Sequence, residues 1–141
     1  MGIWKTPITI KEISEIREST MTAHLGIEFT EIGDDFLKGK MPVDHRTLQP
    51  FGIMHGGASC VLAETLGSVA GCYCVDIKKK IAVGLSLNTN HIRMVRDGYV
   101  YGIAKPVHLG AKTQLWEIDI TDEEGSLVSA TKLTLIILDR V

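Results

Sequence analysis

The sequence predicts an α+β fold in which one long helix lies inside a curved antiparallel sheet. The first observation is an almost uncharged run over residues 58–75, whose single carboxylate is Glu64. A helix without a polar face has to be surrounded by protein. The second observation is that the flanking segments alternate apolar and polar residues and are separated by turn residues, as antiparallel strands are. Such a sheet can bury the helix only by curving around it.

A membrane-spanning helix is the alternative for this run, because about twenty apolar residues are enough to cross a bilayer. Gly67 and Gly71 even have the spacing that lets membrane helices pack closely. Three features argue against a membrane span. Glu64 lies near the centre of the run, large aliphatic residues are scarce, and strands are predicted on both sides. We therefore expect a buried helix and no membrane span.

The other elements follow from local patterns along the chain. Thr9 and Glu12 have the spacing of a capping box, and isoleucines recur after them, which predicts a short helix to about Ser19. A second short helical or turn segment is predicted over residues 21–26, ended by Gly26. Strands are predicted over residues 27–32, 36–43, 81–90, 99–108, 113–121 and 127–138, and the last four are expected to form a meander. In the first of those four, we expect Val83, Leu85 and Leu87 on one face.

Composition narrows the class of protein. The 141 residues suit one domain, expected over residues 1–141, that buries roughly two-thirds of its unfolded surface. The formal net charge of −2 shows no basic excess, so no nucleic-acid partner is expected. Cys60, Cys72 and Cys74 crowd into the helical run, and the first residues lack an apolar cleavable signal. These features indicate a reduced, cytoplasmic protein that uses cysteines as small core residues.

The start of the predicted long helix is a candidate oxyanion site. Gly56 and Gly57 leave backbone amides without helical partners at the positive end of the helix dipole. Glycine also lets a substrate carbonyl come close. Gln49 and His55, just before the helix, would add polar groups at the same place.

Glu64 is the candidate nucleophile, or the base that activates water, in an apolar surrounding. Ser68 lies one turn further along the same helix face and could hold the carboxylate or a water. The structural alternative is a glutamate that pairs with a buried polar group and only fixes the helix position.

The spacing of these two features predicts a dimer. Gly56 and Glu64 lie about 12 Å apart along one helix, so a single carbonyl cannot contact both within one chain. Two antiparallel helices related by a two-fold axis near Cys60 would bring each Glu64 opposite the Gly56 of the other chain. We therefore hypothesise an obligate dimer with shared sites.

The sequence predicts neither a metal enzyme nor an enzyme with a serine nucleophile elbow. The five histidines show no helical ligand spacing, so a metal site is not predicted. Ser59 lies in the sequence GASCV, which lacks the second glycine of a nucleophile elbow.

Several motifs resemble those of the hotdog-fold acyl-CoA thioesterases. They are MPVDHRTLQPFGIMHGGAS at residues 41–59 and AETLGS at residues 63–68. The likeness runs from IWK near the start of the chain to the last strand and includes NTNHIR, KPVHLG and QLW. It is strongest toward the branch that acts on dihydroxynaphthoyl and hydroxybenzoyl thioesters.

The resemblance implies hydrolysis of an acyl-CoA thioester with an aromatic acyl group, no cofactor, and a dimer commonly doubled to a tetramer. It implies that Glu64 is the catalytic carboxylate, and that Gln49 and His55 surround the thioester and the attacking water. The Gly56 amide would polarise the carbonyl, and Ser68 would supply an assisting hydroxyl. A dehydratase of the same fold and a non-catalytic acyl-CoA-binding module are the alternatives.

The resemblance also implies a set of residues that hold coenzyme A. They are Gly84, His91, Ile92, Arg93, Met94, His108, Leu109, Gly110, Ala111, Lys112 and Thr113. Arg93 and Lys112 would contact phosphates. Family members often carry serine and arginine where this chain has Ala111 and Lys112.

Overall fold

The computed structural model describes residues 2–141, which form three helices and one six-stranded antiparallel sheet. The helices are α1 (Ile10–Glu15), α2 (Met21–His24) and α3 (Gly56–Tyr73), and the strands are β1 (Glu28–Ile32), β2 (Leu37–Pro42), β3 (Lys80–His91), β4 (Tyr99–Leu109), β5 (Thr113–Thr121) and β6 (Leu127–Asp139). The order across the sheet is β1-β2-β4-β5-β6-β3. Because α3 contacts five of the six strands, the sheet wraps around it, and the predicted α+β hotdog architecture is confirmed.

The position of β3 differs from the sequence prediction. This strand lies at the edge of the sheet beside β6, while β4 pairs with β2, so the predicted four-strand meander is wrong. The meander contains β4, β5 and β6, and residues 92–98 carry the chain from β3 to β4. Strands that follow each other in sequence are neighbours only when a tight turn joins them, and this connection is too long to require it.

A bulge in β3 also changes which side chains face the helix. Gly84 and Ser86 pair with consecutive residues of β6, so Leu85 between them has no partner in that strand. One extra residue moves every later side chain to the opposite face. Gly84 and Leu87 therefore both pair with fully buried leucines of β6, whereas Val83 faces away. The predicted common face for Val83, Leu85 and Leu87 is wrong for this reason.

The core lies between α3 and the concave face of the sheet, and small residues on the helix allow close packing. A Cβ added at Gly71 would lie 2.3 Å from Leu135 Cδ1, so a larger residue would have to displace this fully buried side chain. Buried Gln114 donates through Nε2 to the Gly71 carbonyl over 3.2 Å, and its Oε1 accepts from Trp116 Nε1 over 2.8 Å. These bonds satisfy a buried amide and connect β5 to the C-terminal half of α3.

The first helix has the predicted cap but is shorter than predicted. The Glu12 amide donates to Thr9 Oγ1 over 3.2 Å, as the capping-box spacing indicates. The helix ends at Glu15, and residues 16–20 continue as turns. Ile13 is fully buried, whereas Ile16 is 60% exposed, so the apolar periodicity overestimates the helix length.

All three cysteines are free thiols. Cys74 is buried in the core as expected, and desolvation raises the pKa of its thiol to about 12. Cys60 and Cys72 are half-buried. No helix within residues 2–141 is both long and apolar enough to span a membrane. The same residues contain no cluster of three or more His, Cys, Asp or Glu side chains that could hold a metal ion.

Candidate active site

His55 is the N-cap of α3. Its backbone is extended, and its Nδ1 accepts a hydrogen bond from the Gly57 amide over 2.8 Å. Its own amide donates to the Thr47 carbonyl over 2.7 Å. Because Nδ1 is an acceptor here, the neutral ring carries its proton on the exposed Nε2. The sequence indicates a polar role for His55 but not this capping contact, since histidine is not a common N-cap residue.

Gly56, the first residue of α3, presents a free backbone donor. Its amide donates to no other described residue, as expected for the first turn of a helix. The ring of His91 lies against it, since a Cβ at Gly56 would be 2.9 Å from His91 Nε2. The absence of a side chain therefore brings β3 close to the helix start, where a free amide can polarise a carbonyl.

A cavity of about 290 Å³ opens at this helix start. It collects several residues that sequence analysis assigns to the thioester and to coenzyme A, and its lining includes Gln49, Gly56, His91, Ile92, Arg93 and Met94. Gln49 Oε1 accepts from the Phe51 amide, so the loop holds the side chain and leaves its NH2 group free to donate. We refer to this space as the helix-start cavity.

Glu64 lies in a second cavity, of about 360 Å³, which we refer to as the glutamate cavity. The cavity is lined by Arg17, Met21, Thr22, Val61, Glu64, Thr65, Ser68, Val69 and Cys72. The Glu64 carboxylate is exposed, and it makes no hydrogen bond or ion pair with another described residue. Within one chain, the alternative in which Glu64 pairs with a buried polar group therefore has no partner residue. Ser68 lines the same cavity, as its position one turn further along the helix predicts.

Gly84 makes room for the Glu64 carboxylate. A Cβ at Gly84 would lie 2.3 Å from Glu64 Oε2, so any side chain here would displace the carboxylate. Gly84 lies two residues after the buried Ala82, so ordinary strand alternation turns it toward the helix. The family resemblance implies that Gly84 contacts coenzyme A, whereas the structure places it beside the candidate catalytic group.

The two cavities share no lining residue. Glu64 and Gly56 therefore belong to different surfaces of one chain, as their separation along the helix predicts. Neither cavity alone contains both a carboxylate on α3 and the free amide at the helix start.

The residues predicted to bind coenzyme A fall into separate groups. Residues 91–94 line the helix-start cavity, while Leu109, Gly110 and Ala111 line a different cavity of about 320 Å³, together with Lys5 and Lys80. Lys112 is exposed. One chain does not bring these groups together.

Several residues of the glutamate cavity were not predicted. On α3, Val61, Thr65, Val69 and Cys72 repeat at the three- and four-residue spacing that puts them beside Glu64 and Ser68, so helical geometry could have identified them. Arg17 reaches the cavity from the turn after α1, and no local pattern predicts that contact.

The fold and this site define the class of protein. A curved antiparallel sheet around one long helix is the hotdog architecture, and here the helix carries an exposed carboxylate and has a free amide at its start. The sequence model described as the thioesterase superfamily matches residues 51–129.

Individual relatives agree over nearly the whole chain. The 1,4-dihydroxy-2-naphthoyl-CoA hydrolase of Escherichia coli is 51% identical over 136 residues, which cover 96% of this chain and 99% of the relative. The crystal structure of a thioesterase from Haemophilus influenzae is 44% identical with a TM-score of 0.94 and covers 97% of this chain and 95% of that one. The crystal structure of a mutant thioesterase from Pseudomonas aeruginosa is 37% identical with a TM-score of 0.97. The match covers 99% of this chain and 100% of that one.

The chain belongs to the thioesterase superfamily. It is an enzyme, and its activity is the hydrolysis of thioesters. The comparisons support this activity over dehydration or binding without turnover.

Replacing Gly84 by alanine should lower turnover about 10- to 100-fold, because a small misplacement of a catalytic group has effects of that size. The added methyl group meets the end of a flexible side chain, so the free energy of unfolding should change by less than about 1 kcal/mol. Steady-state kinetics and thermal unfolding of the same preparation would measure both effects.

The control for this substitution is the background Glu64→Asp, whose shorter side chain withdraws the carboxylate from Gly84. If the added methyl acts on Glu64, Gly84→Ala should cost little further activity in that background. Fully additive losses would show that Gly84 acts in some other way.

Proposed function

We propose that the protein hydrolyses an acyl-CoA thioester with an aromatic acyl group, and that Glu64 is the nucleophile or general base. The observation that carries this proposal is the exposed, unpaired Glu64 carboxylate in the wall of a largely apolar cavity. A volume of about 360 Å³ lies in the range of small-molecule sites, at about 300–1,000 Å³. The name of the Escherichia coli relative, an aromatic acyl-CoA hydrolase, supports the same acyl class.

The chemistry requires a carboxylate on one side of the thioester carbon and a donor on the other. As a base, Glu64 takes a proton from water, and the resulting hydroxide attacks the carbonyl carbon. The Gly56 amide stabilises the negative oxygen of the tetrahedral intermediate. Cleavage of the carbon–sulfur bond then releases the coenzyme A thiolate, which takes back the proton. As a nucleophile, Glu64 forms an anhydride that water hydrolyses to the same products.

The neighbouring polar groups have supporting roles in this proposal. The free amide group of Gln49 and the exposed Nε2 of His55 are available to the thioester and the water, and the Ser68 hydroxyl is available to Glu64. Residues 91–94 and 108–113, all exposed except the half-buried Gly110, would hold coenzyme A, with the cations Arg93 and Lys112 as phosphate partners. No cofactor enters this scheme.

We also propose that the active unit is a dimer with shared sites, further paired into a tetramer, of a single-domain cytoplasmic protein. The two separate cavities of one chain support the dimer. The glutamate cavity lacks the Gly56 amide, and the helix-start cavity lacks a carboxylate from α3. The edge strand β3 supports it as well: among the described residues β3 pairs with β6 alone, and it exposes 60% of Leu85. A long edge strand with exposed apolar side chains is normally covered by a partner.

A mixed dimer tests the shared site. A Glu64→Gln chain and a Gly56→Pro chain should each be inactive alone. Coexpressed, they should recover about a quarter of wild-type activity, because one in four sites would combine an intact Glu64 with an intact Gly56 from the other chain.

In the control, the wild-type chain is coexpressed with a chain that carries both substitutions. Each pair of different chains then again contains one Glu64→Gln and one Gly56→Pro substitution. If each site lay within one chain, the two single variants would show no recovery. Activity in mixed dimers that contain no complete composite site would also refute the shared site.

A further inference from the structure

The glutamate cavity contains a cation that thioester cleavage does not require. Arg17 is half-buried in the turn after α1 and lines the cavity with Glu64. Its guanidinium donates to the Ile13 carbonyl over 2.9 Å, and its Cζ lies 5.9 Å from the centre of the Phe29 ring. These two contacts from α1 and β1 hold the charged group in a defined position.

The guanidinium has unused donors. It carries five N–H groups, and among the described residues the Ile13 carbonyl is its hydrogen-bond acceptor. No described carboxylate lies within ion-pair distance of it. Burial lowers the pKa of Arg17, which reflects the cost of removing the cation from water without a partner anion.

Arg17 shares its cavity with residues well beyond Glu64 on α3. It lines the cavity together with Cys72, which lies near the end of that helix. Cys72 lies eight residues beyond Glu64, which is about 12 Å along the helix. Thr65, Ser68 and Val69 line the space between them. An acyl group whose carbonyl carbon is at Glu64 and which extends along this wall would have its far end in the same cavity as Arg17.

We propose that Arg17 determines acyl specificity by binding a hydrogen-bond acceptor, a hydroxyl or carboxylate oxygen, at the end of the acyl group remote from the thioester. This inference rests on the proposed cleavage at Glu64. Arg17 is a specificity-determining residue in this scheme and takes no part in bond cleavage.

The test compares benzoyl-CoA, 4-hydroxybenzoyl-CoA and 4-carboxybenzoyl-CoA as substrates. The wild-type enzyme should prefer at least one of the two acceptor-bearing thioesters, and the better one identifies the acceptor. Arg17→Met keeps the length of the apolar stem and removes the charge. It should lower kcat/KM about 10- to 100-fold for the preferred substrate and leave benzoyl-CoA nearly unchanged. Arg17→Lys keeps the charge but loses the planar guanidinium. Its kcat/KM for the preferred substrate should therefore lie between those of the wild type and Arg17→Met.

Two outcomes would overturn the inference. Equal losses on all three thioesters would show a structural role, and an unchanged preference in Arg17→Met would show no role in selection. Calorimetric binding of the same thioesters to Glu64→Gln, with and without Arg17→Met, tests the inference without turnover. If no thioester is hydrolysed by the wild type, the proposed function fails, while the binding preference still tests Arg17 separately.

Discussion

Replacing Glu64 by glutamine should reduce thioester turnover by about 100- to 10,000-fold, the range for loss of a general base. Glutamine keeps the size and shape of the side chain but can neither take a proton from water nor attack the carbonyl as an anion. The measurement is thiol release from a panel of aromatic and straight-chain acyl-CoAs, and aromatic substrates should be preferred.

The same variant should remain folded, keep its oligomeric state and bind coenzyme A. Glu64 is exposed and has no partner among the described residues, so its replacement should change the free energy of unfolding by about 0.5 kcal/mol at most. The matched control is Glu18→Gln, another exposed glutamate, which should keep full activity. Retained activity in Glu64→Gln would show that another residue is the catalytic group, and Cys60 would be the next candidate.

Replacing Gly56 by proline should lower kcat about 100- to 1,000-fold, which is the cost of losing one oxyanion donor. Proline lacks the backbone N–H, and the first helical position is where helices accept it best. The preceding residue, His55, already has the extended backbone that proline requires. The helix should therefore form normally without the donor.

The control is Gly56→Ala, which adds the same Cβ against the His91 ring and keeps the amide. The two variants share the added Cβ, so the ratio of their kcat values reports the loss of the N–H group together with the Cγ and Cδ atoms of the proline ring. Similar kcat values in the two variants would show that this amide does not stabilise the transition state. Circular dichroism of both would verify that α3 is intact.

The elements of the fold were largely predictable because their signals are local. The uncharged run predicts α3, and strict alternation predicts β5, which covers Thr113–Thr121 as expected. Gly26 and Gly125, which end a helix and form a turn, adopt the positive φ that glycine allows. Glu64 was also identifiable from the sequence, since it is the single carboxylate in an apolar run and an ionised group is costly to place in such surroundings.

The arrangement of those elements was not predictable in the same way. The placement of β3 beside β6 and the bulge at Leu85 depend on pairing between strands far apart in sequence. The same holds for the contacts of Gly84 with Glu64 and of Arg17 with the glutamate cavity. Local residue patterns determine which segments become helix or strand, because neighbouring residues set backbone preference and periodic burial. Which segments then meet depends on packing across the whole chain. That packing brings Gly84 beside the candidate catalytic carboxylate and Arg17 into the same cavity.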